Sequence, residues 1–357
     1  MFLKVFICLA LLANLTSFAA GADLYAKYKK PGASFVVNKK LSPGANIFLH
    51  ESPAIALEAV AKADPKNPNT GLRKAYEAFA KHFAGGQTPI ETVKDGAIES
   101  KNGDIPFRMY RNHEPKQDRV IVYVHGGGWA RGNLNTHDEL CRRLCSNTNS
   151  VVIAVDYKLA PEHVYPAGFD DVKAVYDWVL QNRSSFGIDK DAKIIMAGDS
   201  AGGNLVTALN LWLIDNGKDL PHKNILLYPA LDLSIPEETD NDYANGYLLT
   251  QDSINKFVIG YVGSLEKAIS DTKNDPYLSP MLASPEQLAK LPNTLIISAE
   301  CDPLEAQAKT FISKVKAAGN NNIAQHVEPG MIHIYAQFFR VFEGASKSLE
   351  KMVEFIG

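Results

Sequence analysis

Two glycine-rich stretches carry residue types that could break an acyl bond. The first, Gly198-Asp199-Ser200-Ala201-Gly202-Gly203, follows a short apolar run and opens a helical pattern. Gly198, Ser200 and Gly202 satisfy the spacing Gly-x-Ser-x-Gly. A strand that turns sharply into a helix can hold one side chain raised above the sheet edge. Glycines beside that residue remove the Cβ atoms that would collide. The turn also places Ser200 at a helix N-terminus, whose unpaired N–H groups favour a nearby oxyanion. Spacing alone is a weak signal, because a glycine-rich strand–helix turn can equally cradle phosphate. The second stretch, His125-Gly126-Gly127-Gly128-Trp129, directly follows the apolar run 120–124. A tetrahedral oxyanion needs preorganised donors about 3 Å away. Consecutive glycines let main-chain N–H groups reach that point, and Gly127 and Gly128 are the expected donors, with Ala201 as a third. Alone, this stretch would read as a flexible turn; beside a serine elbow it reads as an oxyanion loop.

A serine nucleophile needs a base, and with an elbow of this type the chain order is serine, acid, histidine. Of nine histidines, only His222, His326 and His333 follow Ser200. His222 falls in a short connection and His326 inside a predicted strand. His333 lies just past Pro329-Gly330, in a loop from which an imidazole can reach the serine, so it is the expected base. The acid must fix the imidazole tautomer and stabilise the imidazolium. Asp302 and Asp232 each follow a predicted strand. Asp302 is preferred for its place shortly before the histidine loop, with Asp232 second and Glu300 third. Pro303 and a helical pattern follow Asp302, which also makes it an ordinary helix N-cap. The two roles are geometrically compatible.

Elements that could position these residues recur along the chain. Short apolar segments at 120–124, 151–155, 194–197, 225–228, 295–298 and 323–327 read as buried strands. Helical patterns lie at 137–146, 169–183, 201–216 and 303–318, with a last helix expected over 335–356. Strands alternating with helices predict an α/β fold, a mostly parallel sheet covered on both faces. Ahead of this, 91–99 and 105–111 alternate around Lys101-Asn102-Gly103, a hairpin signal. Helical spacing at 52–63 and 72–83 is broken by Pro65 and Pro68. The acidic and Asn-rich stretch 235–275 interrupts the rhythm, and long insertions of this kind are often functional.

The rest of the composition bounds partners and compartment. A formal net charge of −3 without runs of like charge gives no electrostatic footprint for nucleic acid, leaving a small molecule as the expected partner. Lys4 precedes the apolar stretch 5–15, and small residues follow to Ala22 with no acid before Asp23. A membrane-spanning helix needs roughly 20 apolar residues, more than this stretch has. The layout predicts a cleaved secretory leader, cut after Ala19 or Ala22, hence a secreted or periplasmic protein without a stable membrane span. Removing it takes Cys8 and leaves Cys141, Cys145 and Cys301, an odd count that argues against a disulfide scaffold. No His-Glu-x-x-His, Cys-x-x-Cys or Gly-x-x-x-x-Gly-Lys occurs, so no cofactor is expected. Homo-oligomerisation is left open.

With these residues in view, the chain resembles the hormone-sensitive-lipase-like carboxylesterases of the α/β-hydrolase superfamily. The resemblance rests on 125–129, Asp156-Tyr157-Lys158-Leu159-Ala160-Pro161-Glu162-His163, 198–203, Ser279-Pro280, Glu300-Cys301-Asp302-Pro303-Leu304 and His333, in matching order over nearly all of 95–357. It implies a triad of Ser200, Asp302 and His333, and an oxyanion hole from Gly127, Gly128 and Ala201. His125 and the segment 157–163 would be supporting structure. The implied organisation is a leader over 1–22, an N-terminal helical cap segment over 23–90, core over 91–235, a cap insertion over 236–275 and core over 276–357. Three positions depart from the family's pattern: Lys158 replaces an arginine, Glu305-Ala306-Gln307 stands where Asp-Glu is usual, and Ile334 replaces a glycine. The expected activity is hydrolysis of short- to medium-chain carboxylic esters through an acyl-enzyme. An acyltransferase or amide deacylase with the same triad, or a non-catalytic binding protein on this scaffold, are the alternatives.

Overall fold

A computed structural model of the chain describes residues 40–62, 69–236, 242–244 and 246–357. The leader expected over 1–22, with Cys8, lies outside these residues, as do parts of the segments 23–90 and 236–275. Eight strands, β1 (Thr92–Ile98), β2 (Ile105–Arg111), β3 (Arg119–Val124), β4 (Val151–Val155), β5 (Lys193–Asp199), β6 (Lys223–Leu227), β7 (Asn293–Cys301) and β8 (Ile323–Ile332), form one sheet in the order β1-β2-β4-β3-β5-β6-β7-β8. β1 and β2 form the expected antiparallel hairpin, β2 joins β4 antiparallel, and every pairing from β4 onward is parallel. This is the α/β-hydrolase fold.

Helices α1 (Pro43–Ala61), α2 (Asn69–Phe83), α3 (Asp138–Thr148), α4 (Ala167–Asn182), α5 (Ala201–Asp215), α6 (Gln251–Val262), α7 (Leu265–Ser270), α8 (Pro285–Leu288), α9 (Glu305–Ala317) and α10 (Glu343–Ile356) accompany the sheet. Successive strand side chains point to opposite faces, and the apolar runs exploit both. Val120, Val122 and Val124 enter a core with Val172 and Val175 of α4, Leu205 and Leu209 of α5 and Phe311 of α9. Ile121 and Tyr123 enter the other, with Leu140 and Leu144 of α3 and Leu349 and Met352 of α10. A strand buried on both sides has no polar alternation to display, which is why these segments read as unbroken apolar runs.

Two expected boundaries are corrected. The helix read from 52 begins instead at Pro43: the Ser42 Oγ accepts the Ala45 N–H at 3.1 Å, and a proline suits the first helical position. Pro53 therefore lies inside α1. The last helix starts at Glu343; the stretch before it holds only a short turn over Tyr335–Gln337. Tertiary packing overrides the helical spacing here. Phe338 and Phe342 are drawn around the Phe48 ring of α1, at centroid distances of 5.5 and 5.3 Å, and the Arg340 N–H bonds to the Phe83 carbonyl of α2 at 3.0 Å.

The N-terminal helices thus join the core of α3 and α10 through Phe48, Tyr76, Phe79 and Phe83. α6, begun by a reciprocal Thr250–Ser253 cap, buries Val258, Tyr261 and Val262 in the opposite core. Cys141, Cys145 and Cys301 are buried free thiols. Among the described residues no helix is long and apolar enough to cross a membrane, and no cluster of three or more His, Cys, Asp or Glu is arranged to hold a metal ion.

Candidate active site

Ser200 follows the last residue of β5, Asp302 follows the last of β7 and His333 follows the last of β8. The three strands belong to one parallel run, so their carboxyl ends share an edge and residues far apart in sequence meet there. Ser200 turns the chain with φ 53° and ψ −117°. A non-glycine residue in such a region costs about 1–3 kcal/mol and persists only when its surroundings over-determine it. Here the Ser200 N–H donates to the Leu227 carbonyl at 2.8 Å, while its own carbonyl accepts the N–H groups of Asn204 and Ala230. Gly202 is needed for the approach of α5 to β3, since a Cβ there would collide with the Val124 carbonyl.

The Ser200 hydroxyl lies 2.9 Å from His333 Nε2, and His333 Nδ1 lies 2.6 Å from Asp302 Oδ2. A buried carboxylate at Nδ1 holds the proton on that nitrogen and leaves Nε2 as acceptor for the serine hydroxyl. The second Asp302 oxygen accepts the Leu304 N–H at 2.9 Å, a local turn ahead of α9; the N-cap of that helix is Leu304, so the helix-capping role expected of Asp302 is corrected. The ring of Tyr228 meets His333 edge-on at 4.9 Å and fixes its plane.

The other candidates are engaged elsewhere. Asp232 Oδ1 accepts the N–H and hydroxyl of Ser234, and Glu300 accepts the Gly330 N–H at 2.8 Å. His326 pairs with Glu328 at 2.8 Å, and the His222 N–H donates to Ile194. None of the four bonds to Ser200, Asp302 or His333.

The glycine loop after β3 runs past the same point. Gly127 has φ 122°, and a Cβ on it would run into the Arg131 carbonyl. The N–H groups of Gly127, Gly128 and Ala201 donate to no acceptor among the described residues. His125 is supporting structure: its ring stacks on Tyr157 at 4.4 Å, and the Tyr157 hydroxyl donates to the His125 carbonyl at 2.9 Å.

Several participants carried no legible signal. Asp199 occupied a variable place in the elbow pattern, and His137 merely preceded a helix. In the fold they touch at 3.1 Å with relative exposures of 1% and 2%. Asp199 Oδ1 also accepts the Gly126 N–H at 2.8 Å and the Tyr123 hydroxyl at 2.9 Å. Burial pushes the Asp199 carboxyl up. The His137 ring and the two donors outweigh that, leaving it below its ordinary 3.8. This carboxylate ties the glycine loop to the elbow. Gln307 clamps the chain beyond β6, accepting the N–H groups of Leu231 and Asp232 and donating to the Asp232 carbonyl. Lys158 Nζ pairs with Asp171 at 2.9 Å.

A pocket above Ser200 and His333 is walled by Tyr76 of α2, Arg131, Phe257 of α6 and Ile334. Arg73 of α2 locks this cover down, donating to both Glu162 oxygens and to the Ala130 carbonyl.

Comparison with known proteins agrees with this architecture. Residues 121–337 match a family model described as the alpha/beta hydrolase fold. Carboxylesterase NlhH of Mycobacterium tuberculosis is 37% identical over 276 residues, 73% of this chain and 82% of that protein. The ethyl acetate hydrolase of Pseudomonas putida is 30% identical over 290 residues, 79% of this chain and 87% of that one. A solved hyperthermophilic esterase from the archaeon Pyrobaculum calidifontis superposes with a TM-score of 0.73 at 30% identity, over 88% of this chain and 97% of that structure. The chain belongs to the hormone-sensitive-lipase-like carboxylesterases of the α/β-hydrolase superfamily, and it is a carboxylic ester hydrolase.

Proposed function

We propose that this enzyme hydrolyses short- to medium-chain carboxylic esters through an acyl-enzyme on Ser200, with His333 and Asp302 completing a triad. One observation carries the reading: the chain of contacts from Ser200 to His333 at 2.9 Å and on to Asp302 at 2.6 Å, at the tip of a strained turn. His333 Nε2 takes the hydroxyl proton as Ser200 Oγ attacks the ester carbonyl, and Asp302 balances the resulting imidazolium. The carbonyl oxygen becomes an oxyanion, and the N–H groups of Gly127, Gly128 and Ala201 are the donors suited to it. His333 then protonates the departing alcohol. Water, deprotonated by the same imidazole, attacks the acyl-serine and releases the acid with Ser200 restored. The apolar walls supplied by Leu304, Phe257 and Ile334 suit the hydrocarbon part of an ester.

The test is a graded series of p-nitrophenyl esters with purified protein, alongside Ser200→Ala and a fluorophosphonate probe. The expected result is turnover falling off with long acyl chains, and labelling that Ser200→Ala abolishes. Turnover retained by Ser200→Ala would overturn the assignment. We further propose that the segments 23–90 and 236–275 act as a cap over the site and that residues 1–22 are a cleaved secretory leader. The leader's signature is a small-residue stretch ending an apolar run. N-terminal sequencing of exported protein should begin after Ala19 or Ala22, and an intact N-terminus would reject the leader.

A further inference from the structure

The pocket above Ser200 contains a charge that hydrolysis of a plain ester does not require. Arg131 closes the glycine loop through its N–H, which donates to the Gly127 carbonyl at 3.1 Å. Its side chain enters the pocket wall beside Ser200 and His333. The guanidinium carbon stands 5.2 Å from the Tyr76 ring centroid and 4.8 Å from that of Phe257. Nε is buried without a hydrogen-bond partner, and among the described residues no carboxylate pairs with this cation.

Several other arginines of the fold hold acids, while Arg111 and Arg183, whose Nε atoms are likewise buried without a partner, line no part of this pocket. Arg73 and Arg108 each hold a carboxylate with two nitrogens, and Arg142 and Arg143 pair with acids one helical turn away. Arg131 alone among these five is left to aromatic faces. Contact with such faces is worth about 0.5–2 kcal/mol, and it satisfies none of the five N–H donors of the guanidinium fork. Burial draws its pKa below the ordinary value, opposed in part by Tyr76. A methionine would fill the same space without that cost. A planar, bidentate and positive side chain beside the nucleophile, with no acid of the protein paired to it, matches a carboxylate on the substrate.

We propose that Arg131 binds a free carboxylate on the substrate, so that the preferred esters are anionic ones, such as half-esters of dicarboxylic acids or esters of hydroxy acids. The proposal rests on the acyl-transfer reading of Ser200 and specifies its substrate class. The position suits the task. A Cβ on Gly127 would lie 3.0 Å from Arg131 Cγ, so the anchor sits beside the loop whose N–H groups face the reacting carbonyl. Binding energy gathered at the carboxylate would then orient the ester for attack.

The test uses the purified full chain and matched pairs of esters followed by proton release: monomethyl glutarate against methyl valerate, and acetoxyacetate against propyl acetate. In the parent enzyme the anionic member of one pair should lead by about tenfold or more in kcat/KM. Arg131→Met and Arg131→Gln should bring that ratio to about one or below, Arg131→Lys should retain part of it, and free glutarate should inhibit the parent competitively. Inhibition by glutarate is read on the parent alone and does not depend on the variants folding. Turnover of neutral esters with no preference in either pair, or an equal loss on both members in the variants, would overturn the proposal. That second outcome would mean Arg131 acts on the oxyanion rather than on the substrate's charge. No turnover of any ester, with no fluorophosphonate labelling of Ser200, would fell the hydrolase reading and this one with it.

Discussion

The sheet edge beneath the pocket and the cover above it are built on different terms. At the edge, the backbone does the placing. Ser200, Asp302 and His333 each stand one residue beyond a strand end, and main-chain hydrogen bonds hold the turns. Above, side chains do it. Tyr76 arrives from one core, Phe257 is packed against the other, and Arg131 lies between their rings. An arrangement fixed by strand ends can be kept while nearly every other residue changes, whereas one made of side-chain tips is rewritten by a few substitutions. On the proposed function chemistry belongs to the edge and selectivity to the cover, a division by which one fold can serve many substrates.

The comparison breaks most visibly if edge and cover variants behave alike. His333→Ala should lower kcat by about 10⁶-fold and Asp302→Asn by about 10⁴-fold, on anionic and neutral esters equally. The aspartate loss is smaller because a histidine without its acid still accepts a proton some of the time. Single-turnover kinetics on both ester types would check this. A loss that depended on substrate charge would place selectivity at the edge and reverse the assignment.

The Asp199–His137 pair sharpens the comparison by stability instead of rate. Asp199→Asn keeps an acceptor for Gly126 and Tyr123 but removes the negative charge on which they and His137 converge. Weakening hydrogen bonds to a buried charged acceptor costs about 1.5–3 kcal/mol, and urea unfolding near pH 7 should show it. The pH dependence has a defined sign. The carboxyl sits below its ordinary 3.8 in the fold, so its contribution is complete above that value and is lost as pH falls through the lower folded one. The gap between parent and variant should therefore narrow only under strong acid. A gap unchanged down to strong acid would mean that the carboxylate charge contributes nothing.

How much of this could be read from sequence follows the same division. The elbow, the glycine loop and the histidine after Pro329-Gly330 were legible because each answers to a backbone constraint that few residue types meet. Asp302 was legible by its place, although an ordinary helix N-cap before Pro303 would look identical from sequence, and the helix begins later than that reading put it. The Asp199–His137 contact was not, since the two lie far apart in the chain and neither has a local peculiarity. Arg131 was equally silent. Its meaning lies in the missing partner, and a sequence does not list who fails to meet whom. The misplaced start of α10 has the same origin: Phe338 and Phe342 keep helical spacing, yet α1 and α2 claim them.

Ile334 lies where edge and cover join, and it offers the finest test. A β-branched residue here has φ 67° and ψ 4°, a left-handed geometry in which glycine would be at ease, and the family's usual residue is glycine. Its side chain is nonetheless 6% exposed and lines the pocket. Relief of strain in Ile334→Gly is worth about 1–3 kcal/mol, against about 1.5–3 kcal/mol of lost burial and about 0.5–1 kcal/mol of added chain freedom. The terms nearly cancel, so the net destabilisation should be about 1 kcal/mol. Ile332, two residues earlier in β8 and 0% exposed, has no strain to relieve. Ile332→Gly should therefore cost about 4 kcal/mol by the same urea measurement. Equal costs at the two positions would mean that Ile334 is unstrained and is retained for packing alone. A small cost at Ile334 accompanied by faster turnover of longer acyl chains would mean that this enzyme accepts strain at the joint in exchange for a narrower pocket.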